Sequence, residues 1–334
     1  MESCIAGVCD WHPALSLFAA GRDVANEPLA PIWATSAAVG VAGHFMGRLK
    51  AALPGLWPET YRALMVQSAR WTAPIWSILA GDGAGWRVNK GQAQQILRKT
   101  GFGVPDLDAA TRSARNAPTM IAQAEIRPYA TGKDGRTGVF NAVHFYDLPW
   151  PHEALLALGD APVVLRVTLS YFVEPNLSGK AATRPDTYRS YGLRFALKRR
   201  SDSDDDFRGR LSRLQAEAGT AEQDGDDGQL EPVAASDDEA PGEPSGWLLG
   251  TRAVQAGSLH SDLWRGKASD LARHDHIAVQ PVGGWWKSHA GQRRQRDEGR
   301  YALAISIEAE GLDVDLYSEV QAQVIERDIA ILIG

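Results

Sequence analysis

The sequence predicts an α/β segment followed by an antiparallel β-sandwich. Three observations carry this. A run of small and apolar residues at helical spacing begins just after Thr35-Ser36, and further amphipathic helices with clear stop signals follow it. From about Thr119 the apolar period falls from 3.6 to 2. About seven such period-2 stretches are then joined by polar, turn-rich connections, as a sandwich requires.

Residues 1–33 are mixed, with Leu15–Ala19 as the best short strand. From Ala37 the pattern Ala37, Ala38, Val39, Val41, Ala42, Phe45, Met46, Leu49 is apolar nearly all round, which predicts a buried helix from Ser36 to Ala52. Leu53-Pro-Gly stops it. Pro58 opens a second helix to about Arg70, with Tyr61, Leu64, Met65 and Ser68 on one face. Residues 80–85 form a glycine-rich turn lacking the Gly-x4-Gly-Lys-[Ser/Thr] pattern of a phosphate loop. Short helices are expected over 91–99 and 105–114. Strands are expected over 122–129, 139–146, 163–173, 190–197, 277–282, 301–308 and 312–317. Residues 201–245 interrupt them with a solvated acidic insertion, too poor in apolar residues to order itself apart from a short helix carrying Phe207, Leu211 and Leu214.

The Thr35-Ser36 turn carries the chemistry. A serine at the mouth of a helix meets unpaired N–H groups and the positive end of the dipole. That suits a nucleophile whose product is an oxyanion, although a Ser or Thr there can equally serve as an N-cap. Three stretches decide between them: Ala34-Thr-Ser-Ala-Ala with its small-residue helix, Pro58-Glu-Thr-Tyr-Arg-Ala-Leu-Met ending in Ser68-Ala69, and Gly101-Phe-Gly-Val-Pro. Together, in this order, they resemble the nucleophile segment of subtilisin-like serine peptidases and the turn that closes that catalytic domain. The resemblance implies that Ser36 is the nucleophile, that its backbone N–H serves the oxyanion hole, and that the helix packs beneath a parallel sheet. Residues 1–118 are then the C-terminal part of a subtilisin-like domain, and 119–334 resemble the accessory sandwich some bacterial relatives carry.

The same resemblance marks what is missing. The family takes its aspartate, histidine and oxyanion-hole amide from segments upstream of the serine, yet residues 1–35 contain no Asp-[Ser/Thr]-Gly and no His-Gly-Thr. Asp10 and His12 stand too near Ser36 in sequence to be those elements. His44 lies eight residues along the same helix, roughly 12 Å by helix rise. Ala34 replaces the family's glycine, and Gly40 stands where many relatives have proline. The expectation is a serine endopeptidase lineage in a chain inactive alone. Its partners would be a peptide or protein substrate and a separately encoded upstream half. The other expectation is a non-catalytic β-sandwich interaction module with a vestigial peptidase segment.

Composition sets outer limits. With 334 residues, 44% hydrophobic, the chain can hold two cored domains. Net charge is −6, but residues 201–245 alone carry 14 Asp/Glu against 3 Arg, so the remainder is net basic by about 5. Global acidity therefore says little about partners. The two cysteines, Cys4 and Cys9, read as ordinary thiols rather than a zinc site or a disulfide framework. No secretory leader and no membrane-length apolar run are seen, so a cytoplasmic location is the default. No cofactor, no metal, no nucleic acid and no membrane partner is expected.

Other constellations are weaker. Ser258, His260 and Asp262 alternate, but in a strand such residues stand about 6.6 Å apart, too far to relay hydrogen bonds. His260, Asp262, His274 and His276 lack a fixed third ligand for a metal. Trp285-Trp286 either covers the sandwich core or forms an exposed peptide platform. Basic runs at 198–200 and 292–296 lack the interleaved aromatics of a nucleic-acid surface.

Overall fold

A computed structural model describes residues 2–5, 8–11, 17–32, 35–80, 89–112, 117–133, 135, 138–177, 187–221, 246–250, 257–288, 294–309 and 315–316. It is a mixed α/β structure with several antiparallel sheets. Compactness divides it into Met1–Gly55 and Leu56–Gly334. The division falls ahead of the expected 118/119 boundary, for a reason visible in the second unit.

In the first unit, β1 (Glu2–Ile5) pairs with β2 (Val8–Trp11), and β3 (Leu17–Ala20) with β4 (Leu29–Ile32), both antiparallel. Helix α1 spans Thr35–Ala52. The all-round apolar pattern predicts burial, but Val39 and Val41 are 65% and 50% exposed, and only Phe45 and Leu49 are buried. The pattern shows that such a helix gains from being covered. It does not supply the cover: among the described residues of this unit the other elements are two short hairpins.

The second unit opens with α2 (Pro58–Gln67), started by Pro58 at its first turn, then α3 (Ala73–Ala80) and α4 (Lys90–Thr100). Asn89 caps α4 by accepting from Gln92 N–H, and Gly101 ends it at φ 59°. Asp106 caps α5 (Leu107–Thr111) in the same way. Strands β5 (Thr119–Ile126), β9 (Pro162–Tyr171), β11 (Leu259–Lys267) and β13 (Gly299–Glu308) form one antiparallel sheet ordered β11-β9-β13-β5. A second antiparallel sheet is ordered β10 (Gly192–Leu197), β12 (His276–Val282), β8 (His144–Asp147). A small ribbon pairs β6 (Tyr129–Thr131) with β7 (Gly138–Phe140).

Alternation assigns the faces. Leu165, Val167, Leu169 and Tyr171 of β9, with Tyr301, Leu303, Ile305 and Ile307 of β13, share one core with Leu193, Phe195, Ile277 and Val279 of the second sheet. The intervening β9 residues Arg166, Thr168 and Ser170 are also buried. Helix α2 covers that face. Ala63 packs on Ala302 and Ala304, Thr60 donates to Gln123, and Gln67 Nε2 donates to Arg166 O and Ser306 Oγ. Arg62 donates to Ser170 Oγ and to the carbonyls of Tyr171 and Ser258. Buried polar groups satisfied across two elements bind them together. The helix and sheet are therefore one body.

At its start the acidic insertion carries the expected helix, longer than the short one read from the sequence. Residues Asp204–Ala221 form an 18-residue helix, numbered α7 after the short α6 (His152–Ala157). Phe207 and Leu211 are buried against Ala196 and Ala278, and Ser203 with Asp206 makes a reciprocal cap. Two apolar residues one turn apart outweigh the acidic composition there. Residues 222–245 lie outside the described residues, as do the turn at 81–85 and all but Asp315 and Leu316 of the strand expected over 312–317.

Candidate active site

Ser36 is the second residue of α1 and is exposed. It thus lies within the first helical turn, whose N–H groups have no intrahelical acceptor. No acidic residue in that turn offsets the positive end of the dipole. A hydroxyl placed there is open to solvent, and the local field favours developing negative charge. His44, two turns along α1, is exposed as well. Asp10 lies in β2, while His12 and Ala34 fall outside the described residues. Beside Ser36 the described residues of this unit therefore show no assembled histidine–aspartate pair.

The family comparison bears on this same stretch. A model of the subtilase family (Peptidase S8) matches residues 3–103. These residues are a subtilisin-like serine peptidase region. The match covers α1 with Ser36, helix α2 and the Gly101–Gly103 turn, and supports serine-peptidase chemistry at the level of the family. No curated protein and no solved structure matches the chain.

The remaining constellations resolve into structure. Ser258 O accepts from Arg62 and from Tyr171 N–H. His260 points the other way from a triad, into the core, with Nε2 3.1 Å from the Tyr171 hydroxyl. Burial, then Arg189 and Arg62, holds its pKa down at about 3, so it is neutral. Asp262 Oδ1 accepts from Leu249 and Leu263 N–H and Oδ2 from Gly250 N–H. His274 Nδ1 pairs with Lys198 O, and His276 sits between Asp275 and Asp147. No group of metal-holding side chains occurs among the described residues. Trp285 and Trp286 are buried in the core, with Trp286 stacked on Tyr191, so the exposed-platform reading falls. In the basic run at 198–200, Lys198 Nζ bridges Asp204 and Asp275, and Arg200 pairs with Asp270. Cys4 and Cys9 stand opposite each other in the β1–β2 register. No helix among the described residues is long and apolar enough to cross a membrane.

Sequence reasoning missed a hollow in the second unit, between the end of α2, α3 and strand β11. Trp71, Trp76, Phe102, Leu248 and Leu263 line it, together with Arg70, Arg166 and Asp262. Glu308 Oε1 accepts from Arg70 at 2.5 Å and lies 3.5 Å from Arg166 Nε. Burial above all, then the neighbouring Arg70, pulls the Arg166 pKa down to about 10, which leaves it cationic at neutral pH. The signal was in the strand: an arginine inside Val163-Val-Leu-Arg-Val must find polar company in the interior.

Proposed function

We propose that this chain contributes the nucleophile segment of a subtilisin-like serine endopeptidase. The observation that carries this is the family match over residues 3–103, with Ser36 exposed at the start of α1 inside it. Ser36 Oγ attacks the scissile carbonyl as a histidine takes its proton, and an aspartate orients that histidine. The Ser36 N–H stabilises the oxyanion; the leaving amine takes the proton from the histidine, and water then hydrolyses the acyl-enzyme. The histidine, the aspartate and a side-chain amide come from a separately encoded upstream half. The exposed apolar faces of α1 at Val39 and Val41 support this, since a covering sheet would bury them. In this reading residues 1–118 are the C-terminal part of the catalytic domain and the two antiparallel sheets form its accessory β-sandwich. The substrate is a peptide or protein, and the chain alone is close to inactive.

A fluorophosphonate probe tests the assignment. The full chain alone should label at least 10³-fold more slowly than when mixed with a polypeptide bearing the Asp-[Ser/Thr]-Gly and His-Gly-Thr elements, and Ser36→Ala should abolish labelling in the mixture. Labelling that survives in Ser36→Ala overturns the nucleophile. Equal, rapid labelling of the chain alone overturns the need for a second half. No labelling in either case favours the non-catalytic interaction module.

A further inference from the structure

We propose that Cys4 and Cys9 form a reversible disulfide across the β1–β2 hairpin, a redox-responsive modification site. The site does not include Ser36 and does not depend on the peptidase reading. The register carries it. Strands Glu2–Ile5 and Val8–Trp11 pair antiparallel, with Ile5 opposite Val8, Cys4 opposite Cys9 and Ser3 opposite Asp10. Residues directly opposite each other share one face of the ribbon. Their Cα atoms stand about 4.5 or about 5.5 Å apart, according to whether the pair exchanges backbone hydrogen bonds. A disulfide spans about 4.4–6.8 Å between Cα atoms, so either kind of pair accepts one without backbone movement. A slip of one residue would put the two cysteines on opposite faces. They are the chain's two cysteines, so neither has a competing partner within it.

The size of the hairpin gives the bond its consequence. β1 and β2 have four residues each and, among the described residues, form a two-stranded sheet of their own. A lone two-stranded hairpin is marginally stable in water. A covalent tie across it therefore decides how often it is formed, whereas a tie inside a large packed sheet would change little. The oxidant is a low-molecular-weight disulfide, of which glutathione disulfide is the type. One cysteine thiolate attacks a glutathione sulfur, breaks its S–S bond, forms a mixed disulfide and releases one glutathione thiolate. The second cysteine thiolate attacks the protein sulfur of that mixed disulfide, closes the Cys4–Cys9 bond and releases the second glutathione. The chain gives up two electrons and two protons, and both pairs end on the two glutathione thiols. Excess reduced glutathione drives the same steps backwards.

Equilibrating the full chain in mixtures of reduced and oxidised glutathione, followed by acid quench, thiol alkylation and peptide mass mapping, tests this. The expected product is a single intramolecular Cys4–Cys9 disulfide. Its equilibrium constant against glutathione should be at least tenfold larger than that of the double variant Cys9→Ser, Asp10→Cys, which keeps two thiols but sets them on opposite faces. In the parent, amide hydrogen exchange over β1 and β2 should slow at least tenfold on oxidation, while exchange over Thr35–Ala52 stays the same. Equal constants for the parent and the off-register variant overturn the argument from register. Mixed glutathione disulfides or disulfide-linked dimers in place of the internal bond overturn the site. Exchange over β1 and β2 that ignores the redox state overturns the control of the hairpin.

Discussion

A Cβ atom built on Gly103 would lie 2.3 Å from the carbonyl oxygen of Arg70, with φ at +101°. The contact follows from a two-way backbone bridge, in which Arg70 N–H donates to Val104 O and Val104 N–H to Arg70 O, both at 2.9 Å. The Gly101–Gly103 turn, which resembles the one that closes the family's catalytic domain, is thus pressed against the chain just past the end of α2.

Gly103→Ala should accordingly be severe. The clash is with backbone, which cannot step aside, and the φ is one that L side chains rarely adopt. A loss of about 3 kcal/mol or more in urea unfolding is expected. Gly101→Ala is the control for the clash, since nothing lies within 4 Å of a Cβ there and only its backbone, at φ +59° and ψ −150°, favours glycine. It should cost about 1–3 kcal/mol from backbone strain alone. Equal effects would mean that the bridge does not hold the turn.

The compact division at 55/56 gives a second expectation. A fragment of residues 56–334 should fold cooperatively, because α2 keeps its polar and apolar contacts to β5, β9 and β13. A fragment of residues 119–334 uncovers Arg166, Thr168, Ser170, Ala302 and Ala304 and should aggregate or melt at least 10 °C lower. Circular dichroism melts with light scattering measure both. If the shorter fragment melts with the longer, the face under α2 carries no stability.

Much of this was legible in the sequence, and the failures share a cause. The alternation in Val163–Tyr171 and Tyr301–Glu308 gave both central strands, because one face of each is purely apolar. It could not show that the polar face is covered too, since Gln67 and Arg62 reach it from about 100 residues away in sequence. Strand β11 escaped notice because His260 and Asp262 interrupt its apolar pattern, and their partners Tyr171, Leu249 and Gly250 are non-local. The Thr35-Ser36 helix start was readable from local residues. The cover of that helix was not, because a cover is a tertiary property. Trp285 and Trp286 could be read either way until their neighbours Tyr191 and Glu174 were placed.

Helix α7 supplies a third test. Phe207 is 1% exposed and packs with Leu211 on Ala196 and Ala278, with Phe145 meeting it edge-on at 5.9 Å between ring centroids. Phe207→Ala should cost about 3–5 kcal/mol if α7 unfolds with the sheets. If α7 is a separate cooperative unit, it should instead release α7 to protease while the global melt stays put. Hydrogen exchange of α7 amides beside those of β10 separates the outcomes. Unchanged protection in both would show that the docking is not needed.

The last prediction concerns pH, through two neighbours on β11 whose shifts oppose each other. His260 titrates near 6.5 when unfolded and near 3 when folded, because burial disfavours its cation. Its contribution is complete above pH 6.5 and is lost as pH falls from 6.5 toward 3. Burial instead raises Asp262, from 3.8 to about 6, against three backbone N–H donors. The folded state then holds that proton more tightly than the unfolded chain, so this residue adds stability as pH falls from 6 toward 4. From these two groups the slope is positive between pH 6.5 and 6, nearly flat from 6 to 4, and positive again below 4. Replacing His260 by Gln removes one of the two opposing effects. Relative to the parent, the variant should gain about 1.4 kcal/mol for each pH unit of acidification between 6.5 and 4, read from urea midpoints. Asp262→Ala should show the opposite relative slope and an overall loss of several kcal/mol, since it orphans three buried N–H groups. Parallel curves for His260→Gln and the parent would show that His260 gains its proton in the folded state as readily as in the unfolded one.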